Sequence, residues 1–232
     1  MWGPIGMASV YIATEVADVL ALHPYLADRT FRALPVREQV AEQAATLWHA
    51  HRAGDPRIGI QIMSWWPRAR GVALGAVMAA PFSEADALLT VSREHGFADW
   101  AAVAACGALT LDAPFEAALD AMLAGSLSTL TSLIAEDPVL VSERSVLGHR
   151  ATLLHYLGAN GVETHRQRVP LNAVELARAL IVAGASRMAE AIMYGGKQTP
   201  YLLANSSAHP RKAGIAAGLA RMLAPQENAA PI

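Results

Sequence analysis

One stretch, Gly148 to Ala185, constrains the fold of this chain more than any other. It reads Thr152-Leu153-Leu154-His155, then Ala159-Asn160-Gly161, then an apolar run from Val174 to Ala183 closed by Gly184-Ala185. Thr152 can cap a first helix by accepting from free backbone N–H groups, with Leu154 pointing inward behind it. His155 offers two ring nitrogens to neighbouring backbone. The run from Val174 carries apolar residues at helical spacing, and Gly184 suits the left-handed position that closes a helix. Two short helices follow from these signals.

Similar punctuation organises the rest of the chain. A helix is expected over residues 1–24, with Met7, Tyr11, Val16 and Leu20 on one face and a stop at His23-Pro24. Val36, Val40, Ala44, Leu47 and His51 share a face of a second helix, Val36 to Arg52, which Gly54 ends. Asp55-Pro56 opens its partner, which Pro67 terminates. Ala53-Gly54 and Pro67 recur as Ala124-Gly125 and Pro138 at an offset of 71 (125 minus 54, 138 minus 67), and Ile62-Met63 then fall on Leu133-Ile134. Ser83 and Asp86 make a capping box for Glu84 to His95, and Phe97 and Trp100 read as core anchors of the turn that follows. Asp112-Ala113-Pro114 opens Phe115 to Leu123, Leu127 to Ala135 completes that pair, and Thr199-Pro200 opens a last unit closing with Ile215 to Leu223. Strand signals are nearly absent, so an all-α chain is expected.

The order T-x-L-H, Leu-rich helix, Gly-Ala resembles the ankyrin repeat, whose signature is T-P-L-H-x-A; Leu153 stands where the proline would. An offset of 71 is close to twice the ~33-residue ankyrin period. The longer series Leu154-His155-Tyr156, Asn160-Gly161-Val162-Glu163, Arg166-Gln167, Pro170, Asn172-Ala173-Val174-Glu175, Tyr194-Gly195-Gly196 and Ser207-Ala208-His209-Pro210 is similar to that of bacterial ankyrin-repeat proteins. The resemblance spans residues 84–224 and includes Arg93-Glu94-His95-Gly96-Phe97. It implies an ankyrin-like helical-repeat stack over 111–224, a helical N-terminal cap of degenerate hairpins over 1–110, and a tail over 225–232. It also implies recognition of a protein partner through a concave face, with His155 as a structural histidine.

Ordinary ankyrin helices are joined by a few residues, whereas ten residues separate Gly161 from Asn172 here. Asn172 with Glu175 reads as a capping box that restarts the helix, so the insertion has clean boundaries. Long bounded insertions in compact repeats carry function. Glu163, His165, Arg166, Gln167 and Arg168 are therefore the candidate binding residues, an exposed loop able to grip a protein partner or a small anionic ligand. The alternative is an enzyme or small-molecule receptor with a pocket under the 161–171 loop, lined by His155, Tyr156, Tyr194 and His209, since tyrosine and histidine serve as acids and bases. A loop whose truncation cost much stability would instead be a clasp pinned by a buried Glu163–Arg pair.

Charge and motif searches narrow the partners. A net charge of −2 and a pI near 6.4 supply no basic field for nucleic acid or anionic lipid. The single cysteine, Cys106, excludes an internal disulfide and reads as core. His49 and His51 point to different sides of a helix, and no other spacing suggests a metal site. Gly195-Gly196-Lys197 lacks the upstream glycine of a phosphate loop because Ala191 stands there, and neither G-x-S-x-G nor a dinucleotide fingerprint occurs. No cofactor is expected. The apolar run from Ile5 to Leu22 is broken by Glu15 and Asp18 and lacks a basic start, so it reads as neither export signal nor membrane span, and a cytoplasmic address is expected.

Overall fold

Caps, glycines and prolines mark most of the element boundaries in the computed structural model, which describes residues 9–225. The chain is mostly helical and all-α in class, and its strands are two or three residues long. The order is β1 (Val10–Tyr11), α1 (Thr14–Leu22), α2 (Arg29–Arg32), α3 (Val36–Arg52), α4 (Gly59–Trp65), α5 (Leu74–Ala79), α6 (Glu84–Glu94) and α7 (Trp100–Ala104). There follow α8 (Ala113–Leu123), α9 (Leu127–Glu136), α10 (Leu153–Tyr156), β2 (Val169–Pro170), α11 (Ala173–Val182), the hairpin β3 (Ala191–Met193) and β4 (Gly196–Gln198), α12 (Pro200–Ser206), α13 (Ala208–Lys212) and α14 (Ala216–Leu223). Among the described residues no helix is long and apolar enough to cross a membrane.

Local signals hold well where a cap or a break is unambiguous. α3 has the expected bounds and buries Val36, Val40, Ala44 and Leu47. Ser83 and Asp86 bond reciprocally at the start of α6, Asp112 accepts from Phe115 N–H at 2.9 Å, and Thr199 accepts from Leu202 N–H at 3.3 Å. Phe97 and Trp100 pack half-buried against the first core. The α3–α4 and α8–α9 pairs repeat in outline: Gly54 and Gly125 share a left-handed backbone, and Pro67 and Pro138 each open a 3-10 turn. The register of the second helices differs from expectation by one residue. Ile58 and Ile62 are buried in one pair and Leu130 and Ile134 in the other, an offset of 72 (130 minus 58, 134 minus 62). The 3-10 turn Pro56–Ile58 rises further per residue than an α-helix, so it reaches the core one residue sooner.

Three expectations are corrected. The N-terminal helix begins at Thr14; Val10 and Tyr11 are extended and pair antiparallel with Pro170 and Val169 inside the insertion, while residues 1–8, and Met7 with them, lie outside the described part. Cys106 is half-buried rather than core, and its Sγ–H faces the Ala102 carbonyl at 3.5 Å. The Asn172–Glu175 capping box does not form. Asn172 instead donates from Nδ2 to the Gly125 carbonyl at 2.9 Å, tying the exit of the insertion to the α8–α9 turn.

Buried apolar side chains gather in two clusters. One runs from Val36 to Val103 and takes in Leu147; the other runs from Phe115 to Leu223. The clusters meet where Gly96 and Gly148 touch through their backbones. Gly148 N–H donates to the His95 carbonyl at 3.0 Å, and a Cβ on Gly96, whose φ is +80°, would lie 2.1 Å from the His149 nitrogen. Only glycine allows that approach.

The insertion fills the junction rather than covering it. Val162, Glu163, Thr164, Arg166, Val169 and Pro170 are all buried. Thr164 N–H donates to Glu94 Oε1 at 2.9 Å, Trp65 Nε1–H to Thr164 Oγ1 at 3.3 Å, and Leu171 N–H to the Ser9 carbonyl at 2.9 Å. The loop is long because it must reach α4, α6, α8 and the N-terminal strand in turn. The expected exposed loop is therefore a buried strap.

Candidate functional site

Helix α8 supplies the acidic side of the site. Its cap at Asp112 sets the phase so that Phe115 faces the core while Glu116 and Asp120, four residues apart, share a neighbouring face. Arg32 of α2 reaches both, with Nη2 2.9 Å from Glu116 and Nη1 2.5 Å from Asp120. Opposite, the 3-10 turn Thr164–Arg166 directs the Arg166 guanidinium onto Glu116 in a two-point contact, Nη2 to Oε2 at 2.5 Å and Nη1 to Oε1 at 3.3 Å. Arg166 Nη1 is also 3.4 Å from Glu163, and the guanidinium lies 5.9 Å from the centre of the Tyr156 ring.

Glu163 is the centre of this cluster and is fully buried. His149 Nδ1 accepts from Ala151 N–H at 3.1 Å, which leaves Nε2 facing Glu163 at 3.4 Å, just outside hydrogen-bond geometry. Burial pushes the Glu163 carboxyl toward its neutral form, but Arg166 and His149 outweigh it and hold the group ionised, well below the usual carboxylate range. Burial disfavours charge on Arg166 too; Glu116 and Glu163 reverse that and keep it charged. Tyr156, buried without a partner for its hydroxyl, has its ionisation pushed well above the usual phenol range by burial and by Glu163.

A cavity of about 530 Å³ opens beside the cluster, between α1, α2, α3 and the insertion. Its apolar lining comes from Leu20, Leu26, Val36, Leu111 and Leu147, with His23, Gln39 and Gln43 interspersed. The insertion contributes Glu163, His165, Arg166 and Arg168, with His95 and Arg32 also on the lining. His95 donates from Nδ1 to the Val91 carbonyl at 3.0 Å, so its Nε2 is free to accept from Gln43 at 3.4 Å. Behind it runs a buried chain: His23 Nε2–H to Gln61 Oε1 at 3.0 Å, Gln61 Nε2–H to Glu94 Oε2 at 2.8 Å, and Glu94 Oε1 to Thr164 N–H. Burial lowers the His23 pKa and keeps that ring neutral.

The residues expected to bind do not act as one exposed set. Glu163 and Arg166 are internal, His165 and Arg168 are half-buried on the cavity wall, and Gln167 turns away to donate to the Val162 carbonyl at 2.7 Å. The alternative set does not converge either. His155 Nδ1 accepts from Thr152 N–H at 3.1 Å and from its hydroxyl at 2.9 Å, while Nε2–H donates to the Gln198 carbonyl at 3.2 Å. Burial holds its pKa at about 4, so it is a neutral brace. Tyr156 points to the ion cluster, and Tyr194 is exposed at the β3–β4 turn, where its hydroxyl meets Asn160 and its ring stacks on Trp65. His209 is half-buried at the start of α13, beside Glu15 and Lys212. None of these four lines the cavity.

Glu116, Arg32, Asp120 and His149 complete the site and escaped the sequence reading. A carboxylate amid the otherwise apolar first turns of α8 was the signal for Glu116; nothing local pointed to Arg32 or His149. Among the described residues no group of three or more His, Cys, Asp and Glu side chains is placed to hold a metal ion. Comparison of the chain with protein-family models, with curated proteins and with solved structures returns no match.

Proposed function

We propose that this chain is an ankyrin-type helical-repeat protein that binds a small molecule in the cavity beside its insertion. The repeat reading draws on the His155 brace, which joins its own helix to the backbone of the next hairpin, and on the β3–β4 finger that leads into the Thr199 cap. The ligand reading draws on one observation above all. The insertion, the ten residues between Gly161 and Asn172, brings Glu163, His165, Arg166 and Arg168 to a cavity of about 530 Å³ that is also lined by Leu20, Leu26, Val36, Leu111 and Leu147. That volume falls in the range of small-ligand pockets, about 300–1,000 Å³, and the mixture of an apolar wall with a few convergent polar groups is typical of them. Buried ionised groups with displaced pKa values cluster at such sites.

A thermal-shift screen of small metabolites on the parent and on Leu111→Trp tests the reading. Compounds that raise the parent's midpoint should leave the variant unmoved, because the indole occupies their space. A screen in which nothing shifts the parent, or in which both proteins respond alike, overturns it.

A second reading, recognition of a protein partner, has its own observation. Met188, Ile192 and Tyr194 are large side chains exposed to 59, 58 and 63 % on and before the β3–β4 finger, as Val182 is to 83 % at the end of α11. Clustered exposed apolar residues mark contact surfaces. Ile192→Glu should then abolish capture of a partner identified with the parent chain, with no change in melting midpoint.

A further inference from the structure

Arg168 differs from the other arginines at the junction. Arg32 is committed to Glu116 and Asp120, and Arg166 to Glu116 and Glu163. Among the described residues Arg168 makes no ion pair, and its Nε is buried without an acceptor although the side chain lines the cavity. The carboxylates nearby already face another arginine: Asp120 bonds Arg32, and Glu163 has Arg166 at 3.4 Å, with neither Glu163 oxygen in a hydrogen bond. Burial disfavours charge on Arg168; Asp120 favours it, and Arg166 and Arg32 oppose it. Arginine stays protonated regardless; its charge balances the third carboxylate of the cluster, but its buried Nε–H is a donor without an acceptor.

His165, three residues earlier in the insertion, adds a second donor. Arg166 Nε–H donates to His165 Nε2 at 3.3 Å. A guanidinium has no acceptor, so Nε2 must be the unprotonated nitrogen and Nδ1 must carry the hydrogen. Burial, and then Arg166, keep this ring neutral well below the ordinary histidine range, which preserves that tautomer. The cavity therefore holds a guanidinium and an imidazole N–H, both donors, among a lining that includes Leu20, Leu26, Val36 and Leu111.

Resting on the ligand reading above, we infer that the cavity takes an amphiphilic oxyanion, a carboxylate or phosphate held by Arg168 and His165 with an apolar body against the α1–α3 wall. An ammonium brings only donors and would leave the Arg168 Nε–H without an acceptor, and a hydroxyl offers a single uncharged one. An oxyanion supplies acceptors for both donors, and charge-assisted bonds of this kind are the strong ones.

Isothermal titration of the full chain with octanoate, octyl phosphate, octanol and octylamine tests this. The tails are identical, so differences report the head group. At least one of the two anions should bind about tenfold or more tightly than octanol, and octylamine more weakly than octanol. Whichever anion binds better identifies the head group. In Arg168→Gln that anion should fall to within about twofold of octanol, while octanol binding, which also certifies the fold, stays as in the parent. His165→Phe should weaken the anion less than Arg168→Gln does. Octanol binding as tightly as both anions, octylamine binding more tightly, or an anion indifferent to Arg168→Gln each overturns the inference and leaves the ligand reading standing. Failure of all four compounds, octanol included, overturns both.

Discussion

Arg166 meets Glu116 across fifty positions of chain, guanidinium against carboxylate, and both side chains are buried. The contact joins the insertion to α8 at the place where the two hydrophobic cores abut. Both ions lose most of their hydration there, so the net gain over a pair of apolar residues is small. Removing one partner is another matter, because the other is left charged in an interior that cannot solvate it. The loop is held by this asymmetry as firmly as by its packing.

Truncating Arg166 to alanine should therefore cost about 3–5 kcal/mol. Arg168→Ala, which breaks no ion pair, should cost within about 1 kcal/mol. Urea midpoints at neutral pH separate the two. Equal, small losses would mean that the strap is held by its backbone and apolar contacts alone.

Leu154 and Leu180 are both buried in the second core. Either truncation to alanine should cost about 2–5 kcal/mol, since the cavity left behind is closed by helices that cannot collapse into it. Thr152→Ala should cost roughly 1 kcal/mol through its lost bond to the His155 ring. Chemical denaturation of the three variants checks the ranking.

His155 gives the fold a definite response to acid. Its pKa is about 4 when folded against an ordinary value of 6.5, so the unfolded chain binds the proton more readily. The stabilisation is fully present above pH 6.5, declines as the pH falls through that value, and is gone near pH 4. Between pH 7 and pH 5 the loss from this one group should be about 2 kcal/mol. His23, His165 and His209 are displaced the same way and add to the slope. Denaturant melts at pH 7 and pH 5 should show it, and His155→Gln should flatten the difference even if it is less stable at both.

Two glycines test the junction. Gly96→Ala puts a methyl within 2.1 Å of backbone and in a left-handed conformation, and should cost about 2–5 kcal/mol. Gly54→Ala shares the left-handed φ but meets nothing within 4 Å, so about 1–2 kcal/mol is expected. A similar cost at both positions would show that the close approach of Gly96 to His149 contributes nothing.

What could be read from the chain alone was whatever acts within a turn or two. The bounds of α3, the caps at Ser83, Asp112 and Thr199, the closing Gly54 and Gly125, and the bond of His155 to Thr152 all depend on neighbours three or four residues away. Periodicity likewise located Leu154 and Leu180. The insertion was legible as an insertion, and its residues as unusual, but its polar composition argued for solvent. Its burial depends on groups supplied by distant segments: Glu94 for the Thr164 amide, Glu116 for Arg166, His149 for Glu163, and Ser9 to Tyr11 for the strand that ends it. A charged side chain enters an interior only when its counter-charge and hydrogen-bond partners are already there, and no local pattern announces partners from fourteen to about a hundred and sixty positions away. The same holds for the cavity, whose lining draws on α1–α3 and on residues 163–168, and which exists only once the cores have met.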